Sequence, residues 1–205
     1  MKRRSALSIL LSTLPLAAQQ PAPRKLETLL LLPEPRALRG PLSIAPEESR
    51  QTVLTPAKET EDGGIKAYNE EEFASLGFSV ETFAKRAASA ADKRLTTLKP
   101  EIIRDDSGRV AYAVYRGESS LFASLLVAPS LPKIFEPMFG KELWVALPDR
   151  HALYIFPAQS AALQDFSADL AERFAADAFA ASPEIFSLKA GEPPRVIATF
   201  AGKEF

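Results

Sequence analysis

Three residues that could do chemistry stand side by side in the sequence: Asp149, Arg150 and His151. His151 is the single histidine and cysteine is absent, so a thiolate nucleophile, a histidine-rich zinc site and a His/Cys cluster are all excluded. A Ser/His/Asp triad would have to use His151, but no serine lies in a Gly-x-Ser-x-Gly elbow. We therefore assign no catalytic residue and no metal ligand, and we treat these three residues as a candidate ligand-binding site.

The same three residues also have a purely structural interpretation, which the sequence favours. In it Asp149 caps a turn, Arg150 is solvated or ion-paired, and His151 begins a strand. A second candidate is the adjacent carboxylate pair Asp105 and Asp106, which could do acid/base chemistry. This pair precedes a serine and a glycine, and that pattern is typical of a solvated turn. No glycine-rich phosphate loop or calcium loop is present, so we predict no cofactor.

The candidate site falls between two apolar runs, residues 143–147 and 152–156. Both runs are rich in aromatic and branched residues, which favour strands. Pro148 presets the backbone for a turn, so the pattern predicts a β-hairpin with its tip at residues 148–151. Each run is too apolar for a strand with one solvated face, so we expect this hairpin at the centre of the core.

Two further hairpins are predicted over residues 101–116 and 185–200, each around a polar or glycine-containing turn. Apolar residues at helical spacing predict long helices near 79–98 and 160–181. Asn69 and Glu72 form a capping box for a shorter helix. The fold class predicted is α+β, with a single antiparallel β-sheet built from hairpins and the two long helices packed on one face.

The N-terminus has the pattern of a secretory signal. Three basic residues precede an apolar stretch over residues 6–14, and small residues at 17–18 suit a cleavage site. The stretch falls well short of the roughly 20 residues that span a bilayer, so we expect no stable membrane insertion after cleavage. An uncleaved anchor is the alternative. We predict a signal peptide at 1–18 and a periplasmic or secreted protein.

Proline is frequent between the predicted signal and the domain. Residues 19–56 hold seven prolines, which remove backbone donors and disfavour helix. We interpret this segment as an extended linker whose leucine run could dock as a strand or a helical turn. Residues 57–205 are then a single α+β domain. The sequence has 25 basic and 26 acidic residues, and this balance argues against nucleic acid as a partner.

Several blocks of the sequence are similar to one known family. They are the acidic helix start at 69–73, the alanine-rich helix ending at 93–95, residues 122–126, the strand, proline turn and strand of 143–155, and residues 185–194. From Tyr68 to Phe200 the sequence resembles the uncharacterised bacterial YtpQ-like proteins, a family defined as a domain of unknown function. The resemblance implies the order of elements and no reaction. His151 stands where that family often has an acidic residue.

These observations favour the hypothesis of an exported, non-enzymatic binding or interaction domain. Its partner would be a protein or small ligand in the cell envelope, and Asp149, Arg150 and His151 are its candidate ligand-binding residues. The alternative is an envelope hydrolase with carboxylate acid/base chemistry, which needs two carboxyls converging in a cleft and at least one raised pKa. A third possibility is an assembly subunit, which predicts an exposed apolar patch.

Overall fold

The computed structural model describes residues 29–200. The predicted signal peptide at 1–18 and the first part of the predicted linker lie outside these residues. The regular elements are β1 (Leu29–Pro35), β2 (Thr52–Glu59), β3 (Ile65–Ala67), α1 (Glu70–Ala74), α2 (Val80–Leu95), β4 (Glu101–Arg104), β5 (Val110–Arg116), α3 (Leu131–Phe139), β6 (Glu142–Ala146), β7 (Ala152–Pro157), α4 (Ala161–Ala176), β8 (Glu184–Lys189) and β9 (Arg195–Thr199). Short 3₁₀ helices span Arg36–Leu38 and Phe122–Val127. The predicted α+β class is confirmed.

The larger sheet has six antiparallel strands in the order β4-β5-β7-β6-β8-β9. Its three hairpins, β4–β5, β6–β7 and β8–β9, are those that the turn signals predicted. Trp144 pairs with Phe156 and Val145 with Ile155 in the middle hairpin, which occupies the two central positions of the sheet. The prediction that this hairpin lies at the centre of the core is confirmed.

Both faces of this sheet are covered, each by a different long helix. Because side chains alternate along a strand, Val145 faces one side and Ala146 the other. Val145 shares a buried cluster with Phe83 of α2, together with β1 and the second 3₁₀ helix. Ala146 shares a separate cluster with Leu170 of α4. The prediction that both helices pack on one face is wrong, since strands this apolar leave two faces to bury.

A second, three-stranded antiparallel sheet has the order β1-β2-β3. The prediction of a single sheet is therefore wrong, and so is the linker prediction from Leu29 onward. Residues 29–32 alternate between two buried clusters and are all at most 3% exposed, so the leucine run docks as a strand. Pro33 and Pro35 are tolerated because β1 is an edge strand, where a missing donor can face away from the sheet.

Local capping rules explain how the helices begin and end. The capping box of Asn69 and Glu72 is present, and a hydrogen bond from Lys66 leads the causes that lower the pKa of Glu72 to about 2. Gly77 adopts a positive φ of 71°, a backbone conformation that glycine favours just beyond the end of a helix. The last long helix ends at Ala176 and not near residue 181. The Asp177 carboxylate accepts the backbone N–H of Phe179 at 2.6 Å. The residues after Asp177 therefore form hydrogen bonds outside the helix.

Candidate functional site

The hairpin tip at residues 148–151 is covered by the chain segment that follows α4. The N–H of Arg150 donates to the carbonyl of Phe179 at 3.2 Å, and the N–H of Ala181 donates to that of Pro148 at 3.0 Å. Pro148 and Asp149 are consequently buried. The tip is thus a packed junction between the central hairpin and the segment that leads to β8.

Asp149 caps the turn from inside the protein. Its side chain is 6% exposed, and one carboxylate oxygen accepts the backbone N–H of His151 at 2.7 Å. Burial raises the pKa of Asp149 above its ordinary value, and the nearby carboxyl of Asp177 raises it further. The hydrogen bond from His151 and the charge of Arg173 act in the opposite direction. The capping role predicted for Asp149 is confirmed.

Arg150 forms an ion pair inside the protein. Its Nη2 lies 2.6 Å from Oε1 of Glu34 in β1, and the two side chains are 15% and 10% exposed. The guanidinium also lies over the ring of Phe179, 5.7 Å from its centroid. This pair joins the small sheet to the tip of the central hairpin, so the charge of Arg150 has a partner within the chain.

His151 is the third of the predicted ligand-binding residues. It is partly exposed, and its ring packs edge-on against Phe179 with centroids 6.1 Å apart. Its backbone carbonyl accepts the N–H of Gly117 at 3.2 Å. The structure therefore brings Asp149, Arg150 and His151 together, but the carboxyl of Asp149 and the guanidinium of Arg150 make their contacts within the fold.

The other candidate carboxylates lie at an exposed turn. One oxygen of Asp105 accepts the backbone N–H groups of Ser107 and Arg109, each at 2.9 Å. The hydroxyl of Ser107 donates to the same oxygen and is the leading cause that lowers the pKa of Asp105. Asp106 is exposed beside it. A solvated carboxyl with a lowered pKa does not suit general acid catalysis, so the turn-forming interpretation of this pair is confirmed.

A pocket lies away from the hairpin tip, where four segments of the chain meet. It has a volume of about 840 Å³, and we name it the proline-walled cleft. Its walls are residues 44–47, one face of α2, residues 126–132 and the β8–β9 turn. The prolines that give the cleft its name are Pro46, Pro129, Pro132, Pro193 and Pro194.

The lining of the proline-walled cleft is mostly apolar. Leu31, Leu54 and Leu126 lie at its base as part of the buried core, and Ala84 and Ala88 are the small residues that α2 presents to it. The charged residues that line it are Glu47, Lys85, Lys189 and Glu192. An apolar concave surface with a few charged groups is typical of a small-molecule site.

Sequence reasoning missed the proline-walled cleft, because its four walls are far apart along the chain. The available signal was the alanine-rich face of α2. Ala84 and Ala88 line the cleft, while Ala87 and Ala91 of the same helix pack in the buried core. Pro129 and Pro132 lie at the start of α3, which begins at Leu131. Their position in a wall of the cleft depends on the tertiary fold.

Residues 29–200 contain no group of three or more histidine, aspartate or glutamate side chains placed to hold a metal ion. They also contain no helix long and apolar enough to cross a membrane. On α3 the apolar side chains of Ile134 and Met138, one turn apart, are 47% and 46% exposed.

No family model matches the chain, and no curated protein or solved structure matches it either. The resemblance to the YtpQ-like proteins therefore stays a prediction that rests on residues 68–200. The structure is that of a two-sheet α+β protein with an apolar cleft.

Proposed function

We propose that this protein is an exported binding domain that holds a small apolar ligand and carries out no reaction of its own. The single observation that carries the proposal is the proline-walled cleft, with its volume of about 840 Å³. Ligand pockets in proteins commonly have volumes of roughly 300–1,000 Å³ and mainly apolar walls. The sequence analysis also favoured a binding function, but with residues 149–151 as the candidate site. We now propose the proline-walled cleft as the site in their place.

The construction of the cleft supports binding of a ligand without a large rearrangement. Proline fixes φ, so walls that contain Pro129, Pro132, Pro193 and Pro194 lose little further backbone freedom when a ligand arrives. The base belongs to the main buried cluster and is held by the fold. An apolar ligand that displaces water from this base gains the hydrophobic contribution of the area that it covers.

The test uses an uncharged fluorescent probe, N-phenyl-1-naphthylamine, whose emission rises in apolar surroundings. Ala88 lines the cleft from the partly exposed side of α2, so Ala88→Leu fills space there without entering the core. We expect the substitution to weaken probe binding about tenfold or more, since small volume changes in an apolar pocket have effects of this size. The measurement is a fluorescence titration.

The matched control is Ser89→Leu, which adds a similar side chain at an exposed position next along α2 and outside the cleft. It should leave probe affinity unchanged. Equal affinity for the Ala88→Leu variant and the natural sequence would contradict the proposal, and so would absence of probe binding by folded protein. Circular dichroism of each variant shows that the comparison is made between folded chains.

The proposal also includes the place where the protein acts. The N-terminal pattern of residues 1–18 predicts export, so the protein would meet its ligand in the cell envelope or outside the cell. The measurement is N-terminal sequencing of the protein recovered from the periplasm or medium. A mature chain that begins at Gln19 supports export, whereas a chain that retains Met1 in the cytoplasm contradicts it.

A carboxylate hydrolase is the second candidate, and one observation favours it. Asp149 has a raised pKa and lies near a second carboxyl, Asp177, as such chemistry requires. Against it, Asp149 is 6% exposed and its oxygen caps the turn. Turnover of an ester or glycoside substrate that is abolished by Asp149→Asn would favour the hydrolase over the binding domain.

A further inference from the structure

A second pocket lies at the end of the small sheet, where β1 finishes and β2 begins. It has a volume of about 590 Å³, and we name it the arginine pocket. Its lining residues are Pro35, Arg36, Ala37, Arg50, Gln51, Phe174, Ala175 and Pro183. It shares none of these residues with the proline-walled cleft.

Arg36 and Arg50 come from the two chain segments at the end of the β1–β2 ladder. Pro35 pairs with Thr52 there, and the N–H of Arg36 continues the ladder by donating to the carbonyl of Gln51 at 2.7 Å. Arg50 directly precedes Gln51, and both arginines line the same pocket. Two like charges in one pocket repel each other, and this repulsion is destabilising.

The backbone at Arg50 is held in place by hydrogen bonds to the side chain of Glu184. This residue is 2% exposed, and one of its carboxylate oxygens accepts the N–H groups of Arg50 at 2.8 Å and Gln51 at 3.0 Å. Its other oxygen accepts the hydroxyl of Ser49 at 2.7 Å. Glu184 thus holds the turn through backbone groups and forms no ion pair with the Arg50 guanidinium.

The two guanidinium groups have no ion-pair or hydrogen-bond partner among residues 29–200. The carboxylates that pair with arginine in this part of the chain serve Arg94, Arg109, Arg116 and Arg150. Arg36 and Arg50 are exposed. The side-chain oxygen of Gln51 is buried and likewise lacks a hydrogen-bond partner among the described residues.

The rest of the arginine pocket is apolar. Phe174 and Ala175 come from the last turn of α4, and Pro183 follows it in the chain. Pro35 and Ala37 flank Arg36 on the other side. The pocket therefore presents two positive charges beside an apolar surface, which is the complement of a molecule with an anionic end and an apolar body.

We propose that the arginine pocket binds a small amphiphilic carboxylate. The planar forks of Arg36 and Arg50 match the two oxygens of a carboxylate, and arginine binds such groups through paired N–H donors. The apolar body of the ligand lies against Phe174 and Pro183. This site goes beyond the proposed function, because it is formed by other residues and selects for charge as well as for apolar surface.

The test compares two ligands of the same shape, 2-naphthoate and the uncharged 2-naphthamide. Each is titrated into the full chain, and binding is followed by fluorescence or by ligand-observed NMR. We expect the carboxylate to bind about tenfold more tightly than the amide, because only the carboxylate accepts charge-assisted hydrogen bonds from both arginines. Its affinity should also fall as salt is added, as expected for an exposed ion pair.

The variants Arg36→Gln and Arg50→Gln should each weaken 2-naphthoate binding by about three- to tenfold, because each removes one charged donor group. Binding of 2-naphthamide should change little. The matched control is Arg39→Gln, which removes the same charge from a neighbouring exposed residue that does not line the pocket. It should leave the affinity for both ligands unchanged.

Equal binding of the two ligands would overturn the proposal. So would equal effects of Arg36→Gln and Arg39→Gln, or no binding of 2-naphthoate by folded protein. Binding to phosphatidylserine vesicles that requires Arg36, without binding of free 2-naphthoate, would replace the small carboxylate by a membrane surface and so also overturn it. Ala88→Leu should not affect 2-naphthoate, so failure at this site is distinguishable from failure at the proline-walled cleft.

Discussion

The hairpin tip at residues 148–151 and the arginine pocket both carry arginines at the ends of strands, yet they use them differently. At the tip, Arg150 meets Glu34, a carboxylate 116 residues away in the chain, and the pair is largely buried. At the pocket, Arg36 follows Glu34 by two residues, but neither it nor Arg50 meets a carboxylate of the described chain. The comparison shows that residue type and local sequence do not distinguish a structural charge from a free one.

The difference has an energetic consequence. A buried charge has lost its water, so its partner must compensate for the desolvation, and removal of that partner is strongly destabilising. An exposed guanidinium keeps its water and contributes little to the free energy of unfolding. Substitutions at the tip should therefore change stability, whereas substitutions at the pocket should change binding. Three predictions separate the two regions in this way.

The largest effect is expected for Arg150→Ala. The substitution leaves the Glu34 carboxylate, whose side chain is only 10% exposed in the folded protein, without its partner, and loss of one member of a buried pair typically destabilises by about 3–5 kcal/mol. We expect a decrease toward the lower end of that range, since both side chains keep a little solvent contact. Urea denaturation followed by circular dichroism measures the change in the free energy of unfolding.

The double variant Glu34→Met with Arg150→Met serves as the control. It replaces both charges by apolar side chains, a change that is often neutral or stabilising at buried pairs. We expect most of the lost stability to return. If Arg150→Ala cost no more than a surface substitution, the tip and the pocket would be energetically alike and the contrast between them would be wrong.

The sequence alone predicted the features that depend on residues close together in the chain. The central hairpin was predicted from a proline turn between two apolar runs, and Asn69 with Glu72 predicted the start of α1. Both rest on local hydrogen bonding and backbone preference. The small sheet was missed because its prolines outweighed the leucine run, although Pro33 and Pro35 are compatible with an edge strand.

Features formed by distant segments could not be predicted in the same way. Asp149, Arg150 and His151 are consecutive in the sequence, but Glu34 lay inside the predicted linker, so no partner for Arg150 was predicted. The helices α2 and α4 pack on opposite faces of the large sheet. The helical spacing of their apolar residues does not determine which face each helix covers. The proline-walled cleft has the same origin, since its walls meet only in the folded chain.

A smaller effect, of the opposite sign, is expected for Asp149→Asn. Burial raises the pKa of Asp149 in the folded protein above its ordinary value of 3.8. The contribution of this group to stability is thus fully present below pH 3.8 and is lost as the pH rises through the raised folded value. Asparagine remains uncharged and keeps an oxygen for the N–H of His151, so the variant should be more stable than the natural sequence at neutral pH.

Denaturation at several pH values measures this effect. The advantage of Asp149→Asn should shrink as the solution is acidified, because the natural carboxyl then takes up its proton and the two chains become alike. An advantage that is independent of pH would show that the change has another cause. A loss of stability at neutral pH would mean that the charged form of Asp149 is the one that the tip requires.

The smallest effect on stability is expected at the arginine pocket. Arg36→Gln should alter the free energy of unfolding by no more than about 0.5 kcal/mol, as is usual for an exposed residue without a partner. Any change should be a gain, because the substitution relieves the repulsion between Arg36 and Arg50, which line the same pocket, and this gain should vanish at high salt. The measurement is urea denaturation at low and high ionic strength, with Arg39→Gln as the matched loss of one charge.

A loss of more than about 1 kcal/mol that persists in salt would place Arg36 with Arg150 among the structural charges, since screening does not remove a buried interaction. Unchanged stability with weakened carboxylate binding is the combination expected when two neighbouring positive charges serve a ligand and not the fold.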